Sequence, residues 1–181
     1  MKKIVFATLM CIATMSAKAQ ILTTETVKHV YEEVSNQSNS DFIYNVNRQD
    51  NNISTMYVFK KVNKDNDMVG MKPHLKYEYS YAADGTLTSR ITYRWMESKN
   101  DWACAARYNY TLDNNKYYAE YSRYNHKTNS FDEPVEKMVY SLLPNDDVNL
   151  ISCYQRTKPT ALFELVSETV VSGLPMLFAE K

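Results

Sequence analysis

Few residues of this chain have the types and spacing that catalysis or metal binding requires. The three histidines, His29, His74 and His126, stand in unrelated contexts and form no His-x-x-x-His pair. The chain also lacks a Cys-x-x-Cys pair, a Gly-x-Ser-x-Gly motif and a Gly-rich phosphate loop. Carboxylate pairs such as Asp132 and Glu133 occur throughout the chain and do not indicate one reaction. We therefore expect a protein that is not an enzyme and that needs no cofactor and no metal.

Aromatic side chains are the best candidates for ligand binding. The chain contains 15 Tyr, 6 Phe and 2 Trp, and flat amphipathic rings are frequent at binding surfaces. Both tryptophans flank one predicted hairpin connection, and two tyrosines lie on the side of their strand opposite to Tyr118 and Tyr124, where we expect exposure. The candidate ligand-binding residues are Trp95, Trp102, Tyr117 and Tyr121.

The other aromatic residues have the pattern of a buried sheet face. Between residues 75 and 110 they alternate with Lys, Glu, Arg and Thr, which is the period of two that a strand requires. A half-buried antiparallel sheet has this pattern, so a core position is the favoured interpretation and an exposed aromatic platform is the alternative. The residues expected to share this face are Tyr77, Tyr79, Tyr81, Tyr93, Trp95, Trp102, Tyr108 and Tyr110.

Two stretches of the chain repeat each other at a distance of 29 residues. Tyrosines, turn residues and bulky pairs occur at the same offsets in both, which indicates two copies of one β-hairpin unit. Residues 84–85 are Asp-Gly, a strong turn signal. A six-residue connection follows in each copy, and we expect the aromatic residues on either side of it to meet. These two pairs are Trp95 with Trp102 and Tyr124 with Phe131.

The predicted fold class is mainly β, an antiparallel meander of repeated hairpins. Apolar residues at 27, 30, 31 and 34 have helical spacing and predict a short N-terminal helix. The spacing between Thr160 and Val171 also predicts a C-terminal helix, with a strand as the alternative. The predicted segments are a signal peptide over 1–19, an N-terminal segment over 20–54 that is partly helical or extended, a β-meander core over 55–156 with repeats near 77–102 and 106–131, and a C-terminal segment over 157–181.

The first 19 residues have the features of a secretory signal. Lys2 and Lys3 precede an apolar run, and small residues at 17 and 19 predict cleavage before Gln20. The apolar run is shorter than the ~20 residues that span a bilayer, and no later segment qualifies, so we expect no transmembrane segment in the mature chain. Cleavage removes three of the 21 basic residues and leaves 21 acidic ones, a formal charge of −3. Nucleic acid is therefore not an expected partner.

Two cysteines remain after this cleavage, Cys104 and Cys153. Disulfides form readily in exported proteins, so the two residues could pair. The alternative is that each is a separate buried thiol, since a free cysteine behaves as a small hydrophobic residue.

Several segments resemble known families. Residues 79–88, with two tyrosines before an Asp-Gly turn, resemble the Tyr-Asp repeat of secreted β-meander proteins. The lysine-led N-terminus and segments 93–95, 100–102 and 121–125 resemble small secreted proteins of gut Bacteroidetes that are grouped as a domain of unknown function. The resemblance implies export to the periplasm or beyond, and it carries no activity or catalytic residues.

Two functions of different classes are consistent with these features. The first is a secreted, non-catalytic binding or adaptor module of the cell envelope, which presents a sheet face to an unidentified protein or glycan. The second is a carboxylate-based hydrolase that acts on envelope or dietary polysaccharide. A pocket with two facing carboxylates would favour the hydrolase, because glycoside hydrolysis requires such a pair.

Overall fold

The computed structural model describes residues 22–38, 40–64, 68–113, 116–142 and 148–172, so the predicted signal peptide over 1–19 lies outside the described residues. Within these ranges one helix precedes ten strands, which form one antiparallel sheet. Strand order follows chain order, except that the short β7 pairs with β6. The predicted meander is therefore confirmed. The elements are α1 (Thr24–Ser35), β1 (Phe42–Gln49), β2 (Asn52–Lys64), β3 (Met68–Tyr81), β4 (Leu87–Met96), β5 (Asp101–Asp113), β6 (Lys116–Asn125), β7 (Ser130–Phe131), β8 (Glu136–Leu142), β9 (Val148–Gln155) and β10 (Glu164–Ser172).

The predicted N-terminal helix is confirmed as α1. At its start the backbone N–H of Thr23 donates to Oγ1 of Thr26 over 3.1 Å, which satisfies a donor at the helix end. Val27 and Val34 of its apolar stripe are buried, and the helix packs against β1 and β2. The segment before the helix also joins the sheet, because the backbone N–H of Leu87 donates to the carbonyl of Leu22.

The predicted C-terminal helix is wrong, because β10 occupies that segment. β10 pairs with β9 in the register Leu165–Tyr154 and Val170–Leu150. The segment is rich in Val and Thr, whose β-branched side chains favour strands. Pairing with β9 decides between two conformations that the local spacing left open.

The core lies on the face of the sheet that α1 covers, which we call the inner face. Four tyrosines on this face, Tyr77, Tyr79, Tyr108 and Tyr110, are buried, and they belong to one apolar cluster with Val27 of the helix. Elsewhere in this core the tyrosine hydroxyls reach backbone carbonyls, as Tyr81 does with Ile53 over 2.8 Å. Tyrosine therefore serves here as a core residue whose polar end has a partner.

The expectation that eight aromatic residues share one face is wrong for Tyr93, Trp95 and Trp102. Residues that are paired across strands lie on the same face of a sheet. Thr92 pairs with Ala106, but the next residue, Tyr93, pairs with Cys104. Ala105 is therefore an extra residue, a β-bulge, and the alternation of β5 changes face there. Tyr93 and both tryptophans consequently lie on the outer face.

The two aromatic pairs meet across their hairpins, as predicted. The ring centroids of Trp95 and Trp102 are 5.1 Å apart with an interplanar angle of 72°, and those of Tyr124 and Phe131 are 5.2 Å apart at 75°. The connecting turns each end in an asparagine with φ of 51°, at Asn100 and Asn129. These positions require the left-handed region, which Asn tolerates better than most residues. The predicted turn at Gly85, with φ of 83°, is also confirmed.

The matching geometry of the two aromatic pairs leads to a prediction about their energies. A double-mutant cycle with Trp95→Ala and Trp102→Ala should give a coupling energy of about 0.5–1.5 kcal/mol, the range for edge-to-face pairs. The cycle with Tyr124→Ala and Phe131→Ala should give a value in the same range. Urea unfolding of the single and double variants measures both cycles. Zero coupling at either hairpin would contradict an energetic role for that pair.

Buried and half-buried tyrosines lead to a second prediction, on alkaline pH. Burial raises the pKa of seven of them above the ordinary phenol value of about 10, so the neutral form stabilises the folded state. The stabilisation is fully present below about pH 10 and is lost as pH rises further. Absorbance at 295 nm should show these phenols ionising only as the circular dichroism of the sheet disappears. The seven are Tyr79, Tyr81, Tyr93, Tyr108, Tyr110, Tyr117 and Tyr140.

Urea-denatured protein is the control for this titration, because its phenols should all ionise near pH 10. Release of all 15 phenolic protons near pH 10 before any loss of circular dichroism would contradict the prediction.

Candidate functional site: a groove lined by arginine and aromatic residues

A groove of about 510 Å³ crosses the middle of the sheet on strands β3 to β6. This volume lies within the range of small-molecule binding sites. Cationic and aromatic side chains predominate among the residues that line it. The lining residues are His74, Leu75, Tyr77, Arg90, Thr92, Arg94, Trp95, Ala105, Ala106, Tyr108, Tyr121, Arg123 and Tyr124.

Small residues in one row across the sheet account for the depth of the groove. The register aligns Thr92 of β4 with Ala106 of β5. It also aligns Tyr77 of β3 and Arg123 of β6 with them, at the two ends of the row. The two central residues are small, while the residues at both ends of the row are large. Since neighbouring strands are ~4.8 Å apart, the row leaves a trough about 10 Å wide between the outer side chains. The bulge at Ala105 adds a further small residue to the lining.

Arg90 is a buried cation at one end of this trough. The residue is 3% exposed, and its guanidinium carbon lies 5.1 Å from the ring centroid of Tyr77 and 4.9 Å from that of Tyr108. Aromatic faces carry partial negative charge and attract a cation in this position. Burial by itself lowers the pKa of Arg90, but its electrostatic interaction with nearby tyrosines, including Tyr110 and Tyr77, outweighs this effect and raises the pKa. Arg90 is therefore charged at every physiological pH.

Arg94 and Arg123 are the exposed cations of the groove. Arg94 lies four residues along β4 from Arg90, about 13 Å at the rise of a strand, and on the same face. Arg123 lies on β6, two strands from Thr92. Its guanidinium forms no ion pair within the part of the chain that the structure describes.

The lining carries positive charge without a carboxylate among the described residues. Glu136 is the nearest acidic residue by register, since it pairs with Tyr121, and it lines an adjoining cavity of about 20 Å³ that shares Tyr108 and Tyr121 with the groove. Glu78 faces the opposite side of the sheet, where it accepts hydrogen bonds from Lys76 and Tyr93. The charge of the groove is therefore complementary to an anionic ligand.

Two of the four candidate binding residues line this groove. Trp95 lies beside Arg94 near the end of β4, and Tyr121 packs against Tyr108 with ring centroids 5.1 Å apart. Trp102 packs instead against Trp95 and Tyr57 on the outer face, with a centroid distance of 6.2 Å to Tyr57. The structure therefore brings the ring of Tyr121 into the groove, whereas Trp95 borders the groove but its ring packs with that of Trp102 on the outer face.

Tyr117 is buried, so the expectation that it is exposed is wrong. The residue is 3% exposed, its ring stacks on that of Tyr110 at 5.9 Å, and its hydroxyl donates to the carbonyl of Leu87 over 3.0 Å. Tyr117 and Tyr121 do share one face of β6, as the alternation indicates, but this face is the inner one. Tyr117 is buried because the inner face of the sheet contacts the core.

The possible disulfide does not form, because Cys104 and Cys153 are both free thiols. They lie on β5 and β9, three places apart in the sheet and thus about 14 Å at the spacing of strands. A disulfide requires Cα atoms within about 7 Å. They also face opposite sides, since Cys104 pairs with Tyr93 and Cys153 pairs with Met138 of the inner face. The alternative of two separate thiols is the one observed.

Sequence reasoning missed the three arginines. Arg90 and Arg94 were expected on a solvent face, because charged residues usually face water when they alternate with aromatic ones. Their spacing of four on one strand was a usable signal, since it places both on one side of the sheet. Arg123 had no such signal, because only the register of β5 with β6 places it opposite Ala106.

Comparison with known proteins assigns the chain to a family. The model of a family of unknown function (DUF3836) matches residues 1–142. The chain belongs to this family. Every residue that lines the groove lies within the matched span of the DUF3836 chain. No curated protein matches it.

Solved structures are similar to this DUF3836 chain, and the first described here shares its fold. A crystal structure of a protein of unknown function from Bacteroides fragilis NCTC 9343 matches with a TM-score of 0.61 at 22% identity, and covers 74% of this chain and 94% of that one. DUF3836 proteins from Bacteroides vulgatus ATCC 8482 and Parabacteroides distasonis ATCC 8503 match with TM-scores of 0.45 and 0.47 at 24% and 20% identity. These matches cover 51% and 55% of this chain, and 89% and 88% of those chains.

The helix of the described residues is too short to cross a membrane.

The packing of Arg90 leads to a prediction about stability. Arg90→Ala should lower the free energy of unfolding by about 2–4 kcal/mol, because two desolvated cation–π contacts of up to ~2 kcal/mol each are lost. Arg123→Ala is the matched control. It should change the free energy of unfolding by less than about 0.5 kcal/mol, because the residue is exposed. Urea unfolding measures both. Equal effects of the two substitutions would show that the contacts of Arg90 with the rings contribute little.

Proposed function

We propose that this DUF3836 protein is a secreted, non-catalytic binding module of the cell envelope, and that the groove on β3 to β6 is its ligand site. The observation that supports this function most directly is the groove itself. It combines a volume of about 510 Å³ with aromatic and cationic side chains on a rigid sheet. Such a site holds a ligand by stacking and charge.

The proposal of export rests on the first 19 residues. A lysine pair, an apolar run and Ala17-Lys18-Ala19 form the pattern of a cleaved signal peptide. Export would deliver the domain to the periplasm or beyond. Mass spectrometry of the N-terminus of protein from the native host tests this part, because a mature chain that begins at Gln20 is the expected product.

Hairpin duplication accounts for the shape of the site. We propose that residues 77–102 and 106–131 derive from one unit, because their aromatic pairs and left-handed Asn turns correspond. The groove lies where these two units adjoin, on β3 to β6. The sequence of the first unit resembles a Tyr-Asp hairpin repeat.

The hydrolase remains the second candidate, with less support. It requires two carboxylates on either side of a scissile bond. The described lining of the groove offers arginines and aromatic residues in their place. We therefore assign the site to binding.

A glycan microarray tests the binding function. The purified protein should bind at least one glycan, and Thr92→Phe should abolish the signal because its ring fills the centre of the trough. Ile91→Phe is the matched control, since it adds the same ring one residue away on the opposite face of β4. Equal loss of signal in both variants would contradict the assignment of the groove.

Catalysis is tested on the same glycans. Incubation with the protein should leave their chain length unchanged when the products are separated by size. Time-dependent shortening of a bound glycan would overturn the non-catalytic function and favour the hydrolase.

A further inference from the structure

We propose that the groove selects an anionic saccharide, with sugar rings against its aromatic side chains and a ring carboxylate held by Arg94 and Arg123. This inference rests on the proposed function, and it adds the chemical class of the ligand. Three arginines line a single groove in a chain whose basic and acidic residues number 21 each. Because the chain as a whole has no net formal charge, the positive charge of the groove is a local feature.

The arginines differ in role because they differ in burial. Arg90 is fixed between Tyr77 and Tyr108 and supplies a permanent positive charge at one end of the trough. Arg94 and Arg123 are exposed: Arg94 lies two residues beyond Thr92 on β4, and Arg123 stands at the β6 end of the row that contains Thr92 and Ala106. Guanidinium groups bind carboxylates through two parallel hydrogen bonds, which are stronger than bonds between neutral groups. A carboxylate placed between Arg94 and Arg123 can be reached by both side chains.

Aromatic rings supply the second half of the recognition. On the inner face the ring of Tyr121 lies 5.1 Å from that of Tyr108 and extends the aromatic wall of the groove beyond the two rings that hold Arg90. A pyranose ring has a face of C–H groups that packs on the electron-rich face of an aromatic ring. A saccharide that carries a carboxylate on each ring therefore meets both features of the groove at once.

The position of the groove disfavours an acidic peptide. Peptides are commonly bound by addition of a strand to an open sheet edge, where backbone groups are unpaired. The groove lies on β3 to β6, and each of these strands pairs with a neighbour on both sides. The backbone of the groove is thus already hydrogen-bonded, and only side chains can contact a ligand.

The extent of the groove disfavours nucleic acid. Four strands span about 14 Å, whereas binding of a single-stranded nucleic acid uses a basic track along several phosphates. Two exposed arginines do not form such a track.

Calorimetric titration with a matched pair of ligands tests the inference. The probes are an oligogalacturonate of three to five residues and the same oligosaccharide after reduction of its carboxylates to alcohols. The acidic form should bind at least tenfold more tightly than the neutral form. Its affinity should fall as salt concentration rises, because screening weakens the charge interaction.

Substitutions of the exposed arginines identify the site. Arg94→Gln and Arg123→Gln should each weaken binding of the acidic probe about tenfold, and leave binding of the neutral probe within twofold. Arg48→Gln is the matched control, because it removes the same charge from an exposed position on β1. Arg48→Gln should leave both affinities unchanged. An equal loss of affinity for the acidic probe in all three variants would show a general charge effect. It would overturn the assignment of Arg94 and Arg123 to the ligand site.

Outcomes of the titration separate the inference from the proposed function. Equal binding of the acidic and neutral probes would overturn the anionic class but leave the binding function intact. Tighter binding of oligoglutamate or oligothymidylate than of the acidic saccharide would overturn the assignment of the ligand as a saccharide. Binding of no saccharide here and none on the glycan array would overturn the proposed function itself.

Discussion

One extra residue in β5 decides which side chains this sheet presents on each face. Thr92 pairs with Ala106 and Tyr93 pairs with Cys104, so Ala105 has no partner of its own in the ladder. A strand that bulges in this way reverses its alternation from that residue onward. The tyrosines after Ala105 consequently join the core, while the tryptophan before it joins the outer face. Without the bulge, Trp102 would occupy the inner face, where the groove and the core now lie.

The same bulge places a cation within an aromatic core. Arg90 pairs with Tyr108, and the rings of Tyr77 and Tyr108 lie within 5.1 Å of its guanidinium carbon. A buried charge is costly unless its surroundings replace the lost water. Burial raises the pKa of Tyr79 and Tyr108, so these neighbours remain neutral and offer π faces and hydroxyl dipoles to the cation. A core of leucine and valine would have no such groups, which explains why tyrosine predominates here.

Core and candidate site are therefore two parts of one face. The helix α1 and the segment before it cover the part of the inner face near β1 and β2, where Val27, Ile53 and Met56 meet. Further along the sheet, the small residues Thr92 and Ala106 lie between large ones, and a groove remains. The tyrosines that bury Arg90 also form the wall of the groove. Stability and binding thus depend on the same side chains.

The sequence by itself determined the strands, their turns and the aromatic pairs, because each depends on residues near one another in the chain. Period-two alternation marks the strands, Gly85 marks a turn, and Trp95 and Trp102 flank a connection of fixed length. Tertiary structure decided that Tyr117 and Arg90 are buried and that Arg123 lines the groove. Alternation shows that residues share a face but not which face is buried, since that depends on registers and bulges between strands. The same holds for β10, whose conformation depends on pairing with β9, and for Cys104 and Cys153, which strand order keeps apart.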